Sequence, residues 1–474
     1  MSVKKYFLFV FLLVTQSTLF GQKIWTLEAC VNRALENSFQ VEGSRIALQN
    51  TEVDLRQANH GRYPNLSGST NVGWNFGRTI DPTRNEFVTE TFFNNGFSLN
   101  SNAILYNGGR ITNSIKQSDA NNKAALKDLD QSKRDISLSV SSIYLNILFA
   151  KENLQNATQQ LSQTKDQLTL LNKQIAVGNR PENDRMEIEA TIAQNEQTLV
   201  EAQNNLNIQL LNLKQALRIN ISESIDIASP PAIKIDTDPE IVTFDELYTS
   251  ALRNQSSVHA EEMRVKSAFL GEKIAAAELI PSLFAGGSLR TNYSNKGFTP
   301  RVTGVTYNPN TVLINNQEVS VGFPSPVVEL DRIPYFDQFT DNLSYGVGVS
   351  MNIPIYSNLA NRSNVQRAKL NTSRAELAYE QVKETLKITV GQAHADAKAA
   401  KARFLATEKT KNAQNNLYNN AIKRFENGST NVFELSRLKT LSDAAATNHL
   451  IAKYDYLFRT KVLDFYLGKP IQLN

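Results

Sequence analysis

Apolar residues alternate with small polar ones over several stretches of about ten residues each. The clearest runs from Leu343 to Ile353, where Leu343, Tyr345, Val347, Val349, Met351 and Ile353 interleave with Ser344, Gly346, Gly348, Ser350 and Asn352. A period of two puts every apolar side chain on one face of a strand. Leu66, Thr70, Val72, Trp74 and Phe76 make a second stripe, Phe97, Leu99, Ser101, Ala103 and Leu105 a third, and Leu283, Ala285, Leu289 and Tyr293 a fourth. Strands of this length with one apolar face fit the wall of a transmembrane barrel, and the edge of a soluble sandwich is the competing expectation. Trp74 and Tyr345 stand either at a membrane interface or in a core.

Elsewhere the period changes to that of a helix. One helix is expected from about Leu27 to Arg62 and another from Phe244 to Leu279, each stopping before a proline (Pro64, Pro281) that cannot continue it. From Arg110 to Ala176 there is neither glycine nor proline. Val140, Ile147, Leu154, Leu161, Leu168 and Ile175 recur at one heptad position, with Ile143, Ala150, Ala157, Thr164 and Leu171 at the other. That is coiled-coil packing along a helix roughly 100 Å long. Gly178 stops it, Pro181 restarts the chain, and a return helix runs from about Glu182 to Leu217. A second hairpin turns at Gly428 and returns from Val432 to Leu467, with the small residues Ala393, Ala397 and Ala400 where close packing is expected.

The chain repeats itself. At an offset of 217, Thr26 meets Thr243, Ala34-Leu35 meets Ala251-Leu252, Asn37 meets Asn254, Ala58 meets Ala275, Pro64 meets Pro281 and Leu66 meets Leu283. At an offset of 250, Tyr106 meets Tyr356, Val140 meets Val390, Gly178 meets Gly428 and Leu217 meets Leu467. The offset changes only between the two strands of each copy, so the second copy carries 33 extra residues there, the difference between 250 and 217. The expected organisation is a first repeat over 22–220, a linker over 221–242 and a second repeat over 243–474, with an enlarged, outward-facing loop over 294–341.

The N-terminus sets the compartment. Lys4 and Lys5 precede an apolar run from Tyr6 to Val14 that decays into Ser17 and Thr18, which reads as a secretory signal peptide over 1–21. The lone cysteine, Cys30, excludes an intrachain disulfide; Leu27-Glu28-Ala29-Cys30 loosely resembles a lipid-attachment box, but Leu27, Val31 and Leu35 put it on an amphipathic helix. A net charge of +4 leaves no footprint for nucleic acid. His60, His259, His394 and His449 lie far apart and form no metal or catalytic motif, so neither enzyme nor cofactor is expected. Asn and Gln are abundant within the helices, and faces that polar bridge solvent or line water.

Signal peptide, duplicated strand–strand–long-helix units and glycine tips together resemble the TolC-type outer-membrane efflux proteins. The resemblance is carried by Trp25-Thr26-Leu27-Glu28-Ala29-Cys30 with Ala34-Leu35-Glu36-Asn37, by Leu105-Tyr106-Asn107-Gly108-Gly109-Arg110, and by the tips. It implies an α+β membrane protein in which a homotrimer shares a twelve-stranded β-barrel, four strands per chain, continued by an α-helical coiled-coil tunnel in the periplasm. It implies an exit duct for efflux or type I secretion, with a periplasmic adaptor and an inner-membrane transporter as partners. A periplasmic coiled-coil adaptor or structural protein is the alternative.

The family's entrance lies at the tips, where carboxylates after the second glycine ring the pore. Glu434, six residues past Gly428, matches one such position; the next is Arg437, which interrupts a second ring. Asp184 is the equivalent of Glu434 in the first copy. Family members carry a Tyr three before the glycine and an Arg two after it; here these are Phe425 and Thr430, so that polar latch is expected to be missing. A ring of three Glu434 carboxylates would raise their own pKa by repulsion and favour cations.

Overall fold

A computed structural model describes residues 23–80, 85–89, 91–229 and 237–469. The signal peptide, at 1–21, lies outside them. The chain divides into two compact units: one comprises the residues up to Glu52, Ala120–Lys266 and Ser373 onward, and the other Val53–Asp119 and Ser267–Thr372. Each sequence repeat contributes to both units, so the copies are units of duplication rather than separate domains.

The first unit is built on long helices. Strand β1 (Lys23–Trp25) leads into α1 (Leu27–Asn37) and α2 (Phe39–His60). The expected single helix is therefore broken, because the backbone turns extended at Ser38. The later copy breaks at Gln255 in the same way, between Phe244–Asn254 and Ser256–Ala276. Thr26 and Thr243, one offset of 217 apart, cap these helices by accepting from Ala29 N and Glu246 N at 3.3 Å each. Between the two breaks run α3 (Arg110–Ala176) and α4 (Asp184–Leu217). The linker is more than a connection, since it carries a strand, Ile225–Ile227, paired in parallel with β1.

The heptads predict the packing. Val140, Ile147, Ala150, Ala157, Leu161, Thr164 and Leu171 are all buried on α3. Two equivalent cores result, one around Cys30, Ala34, Val140 and Leu213, the other around Leu247, Ala251, Val390 and Leu463. Each member of the first set maps onto the second at an offset of 217 or 250. Every fully buried leucine here contributes about 1.5–3 kcal/mol through area removed from water. Cys30 thus occupies the position of a core leucine: it is wholly buried, burial pushes its thiol up to about 12, and the chain before it is paired in β1. In this structure it serves as a packing residue.

The second unit contains a four-stranded antiparallel sheet. Its strands are Asn65–Asn75 (β2), Phe92–Tyr106, Ser282–Ser294 and Ser344–Asn352, with two short strands (Thr79–Ile80, β3; Phe87–Val88, β4) in the first connection. Numbering on in chain order, β5 is Phe92–Tyr106, β6 the linker strand, and β7 Ser282–Ser294. The enlarged connection is not an irregular loop. It forms a hairpin of β8 (Phe298–Ile314) and β9 (Gln317–Arg332) and then a short helix, Tyr335–Asp341; β10 is Ser344–Asn352. Spatial order is β10-β7-β5-β2, which leaves β10 and β2 as free edges among the described residues.

Register joins the stripes into one surface. Tyr345, Val347, Val349 and Met351 stand opposite Leu289, Gly287, Ala285 and Leu283, and Leu99 and Ala103 continue the row. The other face is mostly Ser, Asn and Gly, as in Ser350, Ser288, Asn100 and Ser67, with Phe284, Ile104 and Arg290 as its exceptions. Most of the apolar face is uncovered among the described residues, with Val347 93% exposed; only its aromatic end meets the short helix Tyr335–Asp341. Trp74, Phe93, Tyr293, Tyr335, Phe339 and Phe97 touch in sequence at the sheet end where β2 finishes and β5 begins. Trp74 is exposed in that band, as an interfacial aromatic is, rather than buried in a core. The opposite end of the sheet is where the helices join it.

Candidate entrance at the helix tips

The tips belong to the first unit and are built by one device used twice. Beyond α3, Gly178 sits at φ +77°; its N–H reaches Ile175 O at 2.9 Å and Asn179 N–H reaches Gln174 O at 2.9 Å. Completing the helices in order, the Tyr335–Asp341 helix is α7, after α5 (Phe244–Asn254) and α6 (Ser256–Ala276); α8 is Ala360–Glu426 and α9 Val432–Tyr466. Beyond α8, Gly428 at φ +70° repeats the pattern, with Gly428 N–H to Phe425 O at 3.0 Å and Ser429 N–H to Arg424 O at 2.8 Å. A left-handed residue closing two such bonds satisfies carbonyls that a helix end leaves open.

The two returns differ. Asn431 caps α9, its side chain accepting from Glu434 N at 2.8 Å. Asn183 makes no side-chain cap on α4, where Asp184 N–H bonds Pro181 O at 3.2 Å instead. Asp184 and Glu434 lie in corresponding first turns, as the repeat requires. Their electrostatics diverge: Arg437 grips Glu434 with two bonds, Nε to Oε2 at 2.8 Å and Nη2 to Oε1 at 2.9 Å. The Arg437 guanidinium holds the Glu434 carboxyl below the usual carboxylate range, helped by Arg424. Within one chain the shift is thus downward, opposite to the rise expected from a ring of bare carboxylates. Arg437, which stands where a second carboxylate is expected, thus neutralises Glu434 within its own chain.

Phe425 and Thr430 are joined by a residue that the tip pattern of the second copy does not single out. Arg180, two positions after Gly178, donates from Nη2 to Thr430 O at 2.7 Å and to Phe425 O at 3.4 Å. Its guanidinium lies over the Phe425 ring, 4.6 Å from the centroid. The cation also meets the carbonyl end of α8, where helix dipoles favour positive charge. A polar tie between the tips therefore exists, but its arginine comes from the first copy and its acceptors are backbone. Phe425 itself is buried with Leu171, Ile188, Tyr418, Val432 and Leu435, so its side chain packs the tip. The signal for Arg180 in the sequence is its place two residues after the first tip glycine, where the family's arginine is expected after the second.

Above the tips lies a second polar feature. Lys439 is 1% exposed and bonds Asp443 Oδ2 at 2.8 Å. Burial raises the Asp443 carboxyl, with Lys439 opposing. Tyr418 closes the group, its hydroxyl accepting from Gln167 and its ring 5.7 Å from Lys439 Nζ. A cavity of about 690 Å³ opens beside it, lined by Gln160, Gln163, Asn415, Asp443 and His449 among others. Its lining is rich in Asn and Gln from the long helices.

Among the described residues there is no cluster of His, Cys, Asp or Glu that could hold a metal, and no helix is apolar enough to cross a membrane. His394 bonds Pro239 O at 3.1 Å, His449 stacks on Phe404, and His259 pairs with Glu262 at 3.5 Å on a helix surface.

A sheet with one largely exposed apolar face, in a chain that also carries duplicated long-helix hairpins, defines the class: a membrane β-sheet protein with coiled-coil hairpins. The chain belongs to the outer membrane efflux protein family, whose model matches residues 30–217 and 247–469, and the outer membrane is its location. It is similar to the outer membrane protein TolC of Escherichia coli (strain K12), 22% identical over 222 residues. That match covers 46% of this chain and 45% of TolC, so the chain spans about half the length of the curated relatives it matches first. Its fold is that of CusC (TM-score 0.76, 16% identity, 96% of both chains) and of VceC from Vibrio cholerae (TM-score 0.74, 15% identity, 94% of this chain and 97% of that one). The family and its outer-membrane location favour the outer-membrane reading over a periplasmic adaptor.

Proposed function

We propose that three copies of the chain form a passive outer-membrane exit duct for a tripartite efflux or type I secretion system. The observation that carries this reading is the sheet, with its exposed apolar face and its free edges at β2 and β10. In hydrocarbon an open edge leaves backbone donors and acceptors without partners. Pairing β10 of one copy with β2 of the next removes both edges of the four-stranded sheet, and three copies supply twelve strands, an even number. The Ser-, Asn- and Gly-rich face then lines the lumen. The polar helix faces line a water-filled periplasmic tunnel, which docks to an adaptor and an inner-membrane pump. The pump selects the cargo.

In this reading the tips are the periplasmic entrance. Asp184 and Glu434 each form a threefold set near the pore, and Arg180 holds the first tip against the second. Purified in detergent, the protein should have trimer mass and conduct in planar bilayers. Recovery as a monomer from the soluble fraction would overturn the channel reading.

A further inference from the structure

The hairpin β8–β9 has no strand on either side among the described residues. Seventeen residues of β8 extend about 55 Å. An isolated two-stranded hairpin is at best marginally stable in water. Its base is well fixed: Gln338 donates to Ser294 O at 2.9 Å and Ile333 O at 3.0 Å, and Arg332 bonds the Tyr293 hydroxyl at 2.9 Å. Its tip is a two-residue turn, with Asn315 and Asn316 both at positive φ. Between those ends no other element supports it among the described residues. From Val302 to Val328 the only charged residue is Glu318.

The register sorts the side chains onto two faces. Val302, Val305, Tyr307, Leu313, Val328 and Leu330 share the first, and Val312, Ile314, Val319, Phe323 and Val327 the second. All eleven are exposed. Pro300, Pro309, Pro324 and Pro326 stand at first-face positions too. A ladder tolerates proline where its nitrogen points away from the partner strand. The first-face nitrogens therefore point to the free edges, and each edge lacks two donors. Such edges are poor templates for adding a strand. What remains for association is the pair of apolar faces.

We propose that the hairpin's two faces are covered by the hairpins of the two neighbouring copies, the first face of one against the second face of the next. This rests on the trimer reading. A single external partner would cover one face and leave the other bare. A closed threefold ring uses two different patches per copy, as this hairpin offers. Lipid does not fit, because the hairpin's edges would go unsatisfied in hydrocarbon. The hairpin also sits in the connection between β7 and β10, and β10 is the edge that the trimer pairs with the next copy, so the hairpin contact continues that seam.

The test is a double variant, Tyr307→Cys with Phe323→Cys, in the full-length protein, treated with a short bismaleimide. The two cysteines lie on opposite faces of one hairpin, and native Cys30 is buried, so links form between copies. Covalent trimer on a denaturing gel is expected from the double variant, with each single variant remaining monomeric. A double variant that stays unlinked while its detergent-solubilised mass is that of a trimer overturns this contact and leaves the trimer standing. Equal linking by the single variants also overturns the face-to-face arrangement. A monomeric mass overturns both readings.

Discussion

Arg180 Nη2 donates to Thr430 O at 2.7 Å, joining the turn of the first helical hairpin to the turn of the second. The two residues are an offset of 250 apart, so each stands two places after its own tip glycine. One copy keeps a cation there and the other offers a carbonyl. The duplication has produced a tie between unlike halves, and a movement of one tip relative to the other has to break it.

Arg180→Ala should loosen the entrance. The lost bonds and ring contact are worth about 1–2 kcal/mol for a half-exposed cation. Higher single-channel conductance is expected in planar bilayers, with little change in thermal stability. Arg180→Lys should fall between, since an ammonium cannot spread over two carbonyls and a ring as a guanidinium does. Unchanged conductance in the alanine variant would remove the tie from the gate.

Glu434 and Arg437 set selectivity as a pair. Because Arg437 holds the carboxyl below its ordinary range, Glu434 stays ionised as pH falls through that range. A depressed carboxyl contributes stability above its unfolded pKa, and loses it only as pH falls through the lower, folded value. Glu434→Gln should leave Arg437 unopposed and move selectivity toward anions. Arg437→Gln should do the reverse and move the loss of cation preference to higher pH. Reversal potentials in a salt gradient, measured across pH, read both.

The elements whose code is local are legible in the sequence. Leu343 to Ile353 needs only its alternation to declare a strand, and Gly178 and Gly428 need only the end of a heptad run to declare a turn. The β8–β9 hairpin is hidden because its alternation is broken by the register shift between Val302 and Gly304, and because four prolines read as loop. The helix breaks at Ser38 and Gln255 carry no glycine or proline to mark them. Arg180 is marked only by its place two residues after Gly178, and what it does there is hidden, because its partners are carbonyls 245 and 250 residues away and backbone acceptors leave no sequence signature.

The glycine tips should resist substitution through backbone alone. No heavy atom lies within 4 Å of a Cβ built on Gly178 or Gly428, so space is not the constraint. Left-handed φ costs an ordinary residue about 1 kcal/mol. Gly428→Ala should lower thermal stability by that order, and Gly428→Asn by less. An alanine variant as stable as the parent would argue against the turn geometry.

Lys439→Met should destabilise by about 1–3 kcal/mol, because it leaves the half-buried Asp443 carboxyl without its cation. The sign of the pH dependence comes from the raised Asp443 carboxyl. An acid whose folded pKa lies above its unfolded value disfavours folding as pH rises past the unfolded value. The penalty should therefore be greatest at neutral pH and fade on acidification. Adding Asp443→Leu should recover most of the loss, and denaturant unfolding at two pH values separates these outcomes.

The lipid face can be tested by charge placed on either side of one strand. Val347 and Ser350 lie on opposite faces of β10, which is paired only with β7 among the described residues. If the apolar face meets hydrocarbon, Val347→Lys costs about 2–4 kcal/mol near the bilayer midplane. It should reduce the amount of assembled protein in the outer membrane. Ser350→Lys puts the same charge into the water-filled lumen, where assembly is unaffected and conductance changes. Equal assembly of the two variants would mean that the alternation reflects something other than lipid on one side and water on the other.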